Sequence, residues 1–451
     1  MSDPAQARDG LPLPQRYWAV TAIALAIILS VLDGAIANVA LPTIARDLNA
    51  SAAASIWVVN AYQLVIVILM LPFASLGEIW GYHRLYRIGL VVFTVASLGC
   101  ALAPSLPILT LARIIQGIGA AGVLSVNTAL VRFVWPRRYL GRGIGINALV
   151  VAASSALGPT VAAGILSVAS WPWLFAVNVP TGILTLIVAR ALPRIPGARR
   201  GFDIWSALLN AVFFGLLITA IDEVGHGENL ANAGLQFVGA VVAGVALVVR
   251  QLPQTSPLLP IDLLRIPMFA LSIGTSICSF GGQMLAYVSL PFYLQDVLGR
   301  DQVETGLLMT PWPVMTGLTA PIAGRLADRY PAGLLGGIGL IVFAVGLALL
   351  ALLPVEPTSL DIVWRMAVCG LGFGLFQSPN NRAIITSAPQ ERTGGASGML
   401  GTARLLGQTL GAALAALMFG LFDSGATRAA LATAAGFAIL AAGVSALRLR
   451  R

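Results

Sequence analysis

The chain has 451 residues, of which 58% are hydrophobic and only 10% are charged, and its formal net charge is +9. About a quarter of the residues in a soluble domain are charged, so this composition excludes a string of soluble domains. The positive charge does not indicate nucleic-acid binding, because the basic residues are all Arg and lie between apolar runs, where such residues set membrane topology.

Apolar runs long enough to cross a membrane follow one another along the chain. A helix needs about 20 predominantly apolar residues to span the hydrocarbon. The sequence contains fourteen such runs, predicted at 17–40, 54–74, 86–104, 107–131, 143–168, 173–193, 204–222, 232–250, 267–292, 304–324, 333–354, 360–386, 394–421 and 425–447. We therefore predict an all-α polytopic membrane protein.

The arginines between the runs predict the topology. If the N-terminus lies in the cytoplasm, every cytoplasmic segment is basic, and the outer segments hold only Arg46, Arg300 and Arg428. Since Arg and Lys favour the cytoplasmic side, we expect both termini in the cytoplasm and the chain in a bacterial cytoplasmic (inner) membrane. Twelve spans would also give an even count, but would leave 204–222 and 232–250 without a place.

The two ends of the chain contain similar short strings in the same order. The pairs are 74–84 with 324–329, 117–119 with 370–372, and 157–160 with 406–409. They predict two six-helix bundles with two additional spans between them, and parallel repeats of this kind place a substrate cavity between the halves. The predicted segments are a cytoplasmic tail at 1–16, bundles at 17–193 and 266–447, a linker with the additional spans at 194–265, and a cytoplasmic tail at 448–451.

Five motifs resemble those of a known family. They are LDGAIANVALP at 32–42, LGEIWGYHR at 76–84, RIIQGIG at 113–119, WPWLFAVNVP at 171–180, and the set Gly145, Ser154, Gly158 and Pro159. With them the chain resembles the major facilitator superfamily (MFS), and within it the fourteen-span drug:proton antiporter group, over essentially its whole length. Glu78 stands where the family usually has Asp, and Ala162-Ala163 where it has Gly-Gly.

Asp33 and Arg113 are the candidate proton-coupling residues. A carboxylate inside the bilayer costs about 2.5–3.5 kcal/mol even on the insertion scale, so such a residue usually faces a wet cavity and has a function. We expect Asp33 to exchange a proton when that cavity opens; a structural acid paired with Arg113 is the alternative. The resemblance links Arg113 to proton coupling, whereas an Arg satisfied by backbone carbonyls and Gln116 is the competing interpretation.

Glu78, Gly81 and Arg84, with their counterparts Asp328 and Arg329, are candidate gating-loop residues. An acid at a helix end can bridge to an Arg of a neighbouring helix and hold one side shut, although exposed pairs are individually weak. The resemblance implies that breaking this bridge accompanies alternating access. An ordinary turn that carries topology charges is the alternative.

Gly145, Gly158 and Pro159 form a candidate antiporter hinge in the fifth span. Small residues let helices approach closely in lipid, and proline removes a helical hydrogen bond and kinks the helix. Tight packing without a hinge function is the alternative. A substrate cavity is predicted from polar and aromatic residues of other spans, namely Tyr62, Gln283, Tyr287, Trp312, Gln377, Asn381 and Arg404.

These features predict proton-coupled efflux of amphipathic small molecules such as drugs or toxic compounds. Without Lys the chain has no phosphate-binding loop of the Lys-containing type, so we expect the proton gradient as energy source and no cofactor. No metal site and no catalytic grouping is apparent, and a monomeric transporter rather than an enzyme is expected. The alternatives are an exporter of one endogenous solute, such as a siderophore, secondary metabolite or lipid, and a non-transporting membrane sensor.

Overall fold

The computed structural model describes residues 10–136, 139–197, 201–226, 230–252, 261–327, 329–354, 356–389, 393–422 and 425–450. These residues form helices and no β-strand. The helices are α1 (Leu13–Asp47), α2 (Ala52–Trp80), α3 (Tyr82–Ala101), α4 (Leu106–Val134), α5 (Leu140–Leu166), α6 (Pro172–Ala176), α7 (Asn178–Val188), α8 (Ile204–His226), α9 (Leu230–Gln251), α10 (Pro267–Phe292), α11 (Gln302–Met309), α12 (Pro311–Leu326), α13 (Ala332–Ala351), α14 (Ser359–Ser387), α15 (Thr393–Leu421) and α16 (Ala426–Leu447).

Twelve helical segments of the described residues are long and apolar enough to cross a membrane. The predicted run at 143–168 corresponds to α5, one continuous helix of 27 residues. The predicted run at 304–324 is divided at Thr310 into α11 and α12, and Pro311 begins the second helix. Proline suits a helix start because it has no N–H to leave unpaired there, which explains why a continuous apolar run becomes two helices.

Hydrogen bonds between helix ends define two ends of the bundle. At one end, the backbone N–H of Leu11 donates to the carbonyl of Val134, with 3.1 Å between nitrogen and oxygen. At the other, Trp171 Nε1 donates to Asp47 at 2.9 Å. We call the first, where α1 begins and α16 ends, the Arg-rich end, and the second the opposite end.

The N-terminal half (α1–α7) and the C-terminal half (α10–α16) repeat the same close helix contact. A Cβ atom added to Gly119 of α4 would lie 2.4 Å from the backbone nitrogen of Phe93 in α3. The equivalent glycine of α14, Gly372, would bring its Cβ to 2.3 Å from the backbone nitrogen of Phe343 in α13. Neither position has room for a side chain, so the repeated glycine strings correspond to repeated backbone-to-backbone packing.

Helix α8 contacts both halves, because it packs against α2 of the first and α15 of the second. Its buried Asn210 donates from Nδ2 to the carbonyl of Ile68 in α2 at 2.7 Å. Pro72 lies one turn further along α2 and has no N–H for that carbonyl. The Asn210 amide therefore satisfies a backbone acceptor that the proline leaves free inside the bundle.

Candidate functional site

Asp33 lies at the centre of a sealed polar network inside the N-terminal half. Its side chain is 1% exposed and forms an ion pair with Nη1 of Arg113, whose side chain is fully buried. The carboxylate also accepts a hydrogen bond from Gln116 Nε2 at 3.0 Å and one from Asn178 Nδ2 at 2.6 Å. Three neighbouring helices, α1, α4 and α7, therefore supply one compensated buried charge pair.

Arg113 is held by more than the carboxylate. Its Nε donates to the carbonyl of Val58 in α2 at 2.8 Å, and its Nη1 donates to Gln116 Oε1 at 2.6 Å. The guanidinium carbon lies 4.0 Å from the ring centroid of Tyr62 and 5.4 Å from that of Phe175, within the range of cation–π attraction. The structure thus shows Arg113 paired with Asp33 and bonded to a backbone carbonyl and to Gln116, and its role in proton coupling stays a prediction.

The local sequence of α4 explains why these groups meet. Arg113 and Gln116 are three residues apart and share one helix face. Gly117, the next residue, permits close approach to α2, because a Cβ there would lie 2.8 Å from the carbonyl oxygen of Tyr62. Tyr62 itself donates from its hydroxyl to the carbonyl of Ser30 at 2.8 Å, which ties α2 to α1 beside the ion pair.

Asn178 is a member of the site that sequence reasoning did not single out. It lies at the start of α7, directly after the break at Val177 that separates α6 from α7, and it is 5% exposed. The available signal was an amide side chain within the apolar motif at 171–180. Its partner could not be predicted from the sequence, because Asn178 and Asp33 are 145 positions apart in the chain.

The hinge residues lie against the same region. A Cβ at Gly158 of α5 would approach the Cβ of Ala35 in α1 to 2.4 Å, two residues from Asp33. Pro159 is buried, and its carbonyl oxygen would lie 2.7 Å from a Cβ at Gly306 of α11 in the other half. Gly145 lies within α5, but its surroundings are outside the described residues. Close packing at Gly158 is therefore a property of the structure, and its hinge function stays a prediction.

In the described part of the chain, the hydrogen bonds that join the two halves lie around the middle of the bundle and toward its opposite end. Gln295, just after α10, donates to the carbonyl of Val39 at 2.8 Å and accepts from Thr43 at 3.2 Å and Arg46 at 3.3 Å. Further toward the middle, the hydroxyl groups of Thr160 and Thr310 lie 2.9 Å apart. Gln63 Nε2 lies 3.8 Å from Met284 Sδ. The opposite end is therefore closed across the interface between the halves.

The candidate gating residues lie at the Arg-rich end. Gly81 adopts a left-handed backbone angle, φ +96°, which favours glycine in the tight turn between α2 and α3. Glu78 is half-buried, whereas Arg84 and Arg329 are exposed. Asp328 lies outside the described residues, so the predicted bridge between the two loops stays a prediction.

The predicted cavity residues fall into two groups. Tyr62 and Trp312 are 2% and 0% exposed and are packed into the two halves, so neither offers a surface to a substrate in this conformation. Trp312 lies 4.8 Å from the ring of Tyr287 and 5.4 Å from that of Phe343, measured between centroids. Large aromatic rings fill space between helices, which explains their burial. The half-buried group is Gln283, Tyr287, Gln377, Asn381 and Arg404.

Arg448 is a second buried cation, and it lies at the start of the predicted cytoplasmic tail, 448–451. It is 3% exposed, and its Nη1 donates to Asn380 at 2.7 Å and to Ser272 at 3.1 Å. Its Nη2 donates to Ser445 at 2.6 Å. Burial lowers the pKa of Arg448 to about 10, so the group stays protonated at neutral pH. Neutral oxygens from α10, α14 and α16 thus hold this charge, an arrangement that charge counting along the chain could not show.

Comparison with known proteins identifies the family. The sequence profile of the Major Facilitator Superfamily matches residues 23–412 and 271–451, and together these cover nearly the whole chain. The chain belongs to the Major Facilitator Superfamily. As an MFS protein it is a polytopic membrane transporter and not an enzyme.

Three relatives illustrate where this MFS chain lies within the family. It is 59% identical to the uncharacterized transporter YebQ of Escherichia coli (strain K12), over 99% of this chain and 98% of that protein. It is 31% identical to the multidrug efflux pump LfrA of Mycolicibacterium smegmatis, over 91% and 82% of the two chains. It is 30% identical to the riboflavin transporter RibZ of Clostridioides difficile, over 90% and 89%.

Solved structures support the MFS fold. A bacterial homolog of the human lysosomal transporter Spinster, in an inward-facing and unoccupied conformation, matches with a TM-score of 0.69 at 16% identity, over 98% of both chains. A POT family transporter in complex with a thioalcohol-conjugated peptide matches with a TM-score of 0.71 at 13% identity, over 94% of both. At these identities the likeness concerns the fold alone.

Proposed function

We propose that the chain is a proton-coupled antiporter of the fourteen-span group that exports amphipathic small molecules by alternating access, with both termini in the cytoplasm. One observation carries the proposal: the ion pair of Asp33 and Arg113 is sealed inside the N-terminal half and is completed by Gln116 and Asn178. If an acid is buried and fully hydrogen-bonded in one conformation, its protonation can be coupled to a change to another conformation.

The coupling follows from the energetics of the pair. If Asp33 takes up a proton, Arg113 loses its counterion and remains a buried charge. Removing one partner of a buried ion pair costs about 3–5 kcal/mol. Protonation therefore favours a conformation in which water reaches Arg113, and loss of the proton favours the sealed conformation. In this cycle a proton enters from outside and titrates Asp33 while the outer side is open, and its release to the cytoplasm favours the sealed, inward-facing state.

The contacts between the halves form the barrier that closes one side of the transporter and must open during alternating access. The sealed conformation is closed at the opposite end by the Gln295 hydrogen bonds with Val39, Thr43 and Arg46. With the termini in the cytoplasm, this closed end faces outward and substrate enters from the Arg-rich end. Opening to the outside requires that these hydrogen bonds break, and the gating loops around Glu78 and Asp328 are proposed to close the inner side at that time.

A second candidate substrate class is favoured by the charge of the interior. Asp33 is the one fully buried carboxylate among the residues that the structure describes, and it is already paired. Arg404 of α15 is half-buried, and its Nε forms no hydrogen bond in the described part of the chain. A half-buried cation without a matching acid favours neutral or anionic solutes, so export of one endogenous solute is the alternative to broad drug efflux.

The test is transport by everted membrane vesicles, whose cytoplasmic side faces the medium, measured as accumulation in the lumen of cationic, neutral and anionic fluorescent compounds added outside. We expect transport by the natural protein to stop when a protonophore collapses the gradient. The Asp33→Asn variant should insert normally and lose gradient-driven efflux by about a hundredfold or more, in line with a lost interaction of about 3 kcal/mol. Asp47→Asn is the matched control, because Asp47 is an exposed acid of the same helix.

The outcomes separate the candidates. Full gradient-driven efflux by Asp33→Asn would overturn the proton-coupling role of Asp33. Efflux that ignores the protonophore would overturn antiport. Transport confined to one anionic or neutral compound would select the second substrate class, and no transport of any compound by a correctly inserted protein would favour the sensor.

A further inference from the structure

A groove lies at the Arg-rich end, on the face of α3 that is directed away from the bundle. It has a volume of about 910 Å³ and is lined by the start of α3 and by the segment 194–197 that follows α7. Arg84, Arg87 and Arg194 are three of its lining residues, and each interacts electrostatically with the ring of His83. The eleven described residues that line the groove include no Asp or Glu.

The groove is a built feature of the backbone. The segment 194–197 lies against the turn between α2 and α3, where a Cβ at Gly197 would lie 1.9 Å from the carbonyl oxygen of Ile79. On the other side of the contact, a Cβ at Gly81 would lie 2.9 Å from the carbonyl oxygen of Ile195. Two glycines therefore allow two backbones to meet, and this contact fixes Arg194 opposite the arginines of α3.

An apolar surface continues from the charged groove along α3. Ile88 and Val91 line the groove, and they are 52% and 46% exposed. Val95, one turn further, is 66% exposed. The spacing of these residues places them on one face of the helix, directed away from the bundle. Trp80, half-exposed at the rim of the groove, is a residue type enriched where membrane meets water.

We propose that this groove binds the headgroup of an anionic phospholipid, with the acyl chains along the exposed apolar face of α3. Three guanidinium groups provide multidentate donors for phosphate oxygens. Basic pockets between transmembrane helices bind anionic headgroups in this way. The exposed apolar face of α3 next to the arginines favours a lipid over a soluble phosphate, because a headgroup without acyl chains would not contact that face.

The experiment is native mass spectrometry of the purified full-length protein with phosphatidylglycerol, phosphatidylcholine or glycerol 3-phosphate added separately. We expect one phosphatidylglycerol molecule to be retained with markedly higher affinity than phosphatidylcholine, and no retention of glycerol 3-phosphate. The triple variant Arg84→Gln, Arg87→Gln, Arg194→Gln should lose about tenfold or more in apparent affinity for phosphatidylglycerol.

The matched control replaces three exposed arginines of the same end that lie outside the groove, Arg132, Arg325 and Arg329, by Gln. Its net charge changes equally, so it should retain phosphatidylglycerol like the natural protein. Equal loss in the control, or equal retention of phosphatidylcholine by the natural protein, would overturn the site. Retention of glycerol 3-phosphate as strong as that of the lipid would assign a soluble anion instead. The lipid comparison on the natural protein needs no variant, so misfolding of the triple variant does not prevent a result.

Discussion

In α4, Arg113 lies four residues before Gly117. At the equivalent position of α14, four residues before Gly370, the residue is Met366. Both side chains lie in the interior and neither is exposed. Against Arg113 lies the ring of Tyr62, with Asp33 as counterion. In the other half, the aromatic rings of a cluster fill the corresponding region: Tyr287, Trp312, Phe343, Phe373 and Phe280.

The comparison shows that the same helix packing holds a titratable pair in one half and an apolar cluster in the other. Gly119 and Gly372 keep the backbones equally close, so the difference does not come from the arrangement of helices. A buried Arg needs an acid and further acceptors within reach. Asp33, Gln116 and Asn178 supply them in the N-terminal half. Under the proposed proton coupling, protonation would act on the N-terminal half, and the C-terminal half would respond through the interface.

The largest expected effect comes from making the first half resemble the second. Arg113→Met removes the counterion of Asp33 and should destabilise the protein by about 3–5 kcal/mol, because an unpaired carboxylate is left buried. The measurement is unfolding of the purified protein by titration with SDS. The double variant Asp33→Asn, Arg113→Met should recover part of this loss. An equal or larger loss in the double variant would contradict a direct pair.

A smaller effect is expected from the third member of the site. Asn178→Ala removes a hydrogen bond to a charged group, which is worth about 1.5–3 kcal/mol, while the ion pair stays. Thr181→Ala in the same helix is the control, since that hydroxyl bonds only the carbonyl of Val177 among the described contacts. The same SDS titration applies, and equal values for the two variants would remove Asn178 from the network.

The smallest effects test whether the halves share their packing. Gly119→Ala and Gly372→Ala should each destabilise by about 1–3 kcal/mol, and by similar amounts, because each new methyl group meets a backbone nitrogen. Gly274→Ala in α10 is the control, since its Cβ would point into open space. Markedly unequal losses in the two halves would show that the backbone repeat is less symmetric than the contacts indicate.

Local sequence determined much of this protein. Run length and the scarcity of charge predicted a helical membrane protein, the motifs predicted an MFS transporter, and both predictions are confirmed. Asp33 and Arg113 could be chosen in advance because a charge inside an apolar run needs a reason. The repeated glycine strings were also informative, because a residue without a side chain marks a close helix contact even when its partner helix is not known.

Tertiary structure alone decided which groups meet. The amide of Asn178 reaches Asp33 from another helix, Asn210 occupies the acceptor left free by Pro72, and neutral oxygens from three helices enclose Arg448. Apart from the contact of Arg448 with Ser445, each of these contacts joins residues far apart in the chain. The helical period predicts which face a side chain occupies, but the neighbour of that face depends on how the helices pack, and that packing is a property of the whole bundle.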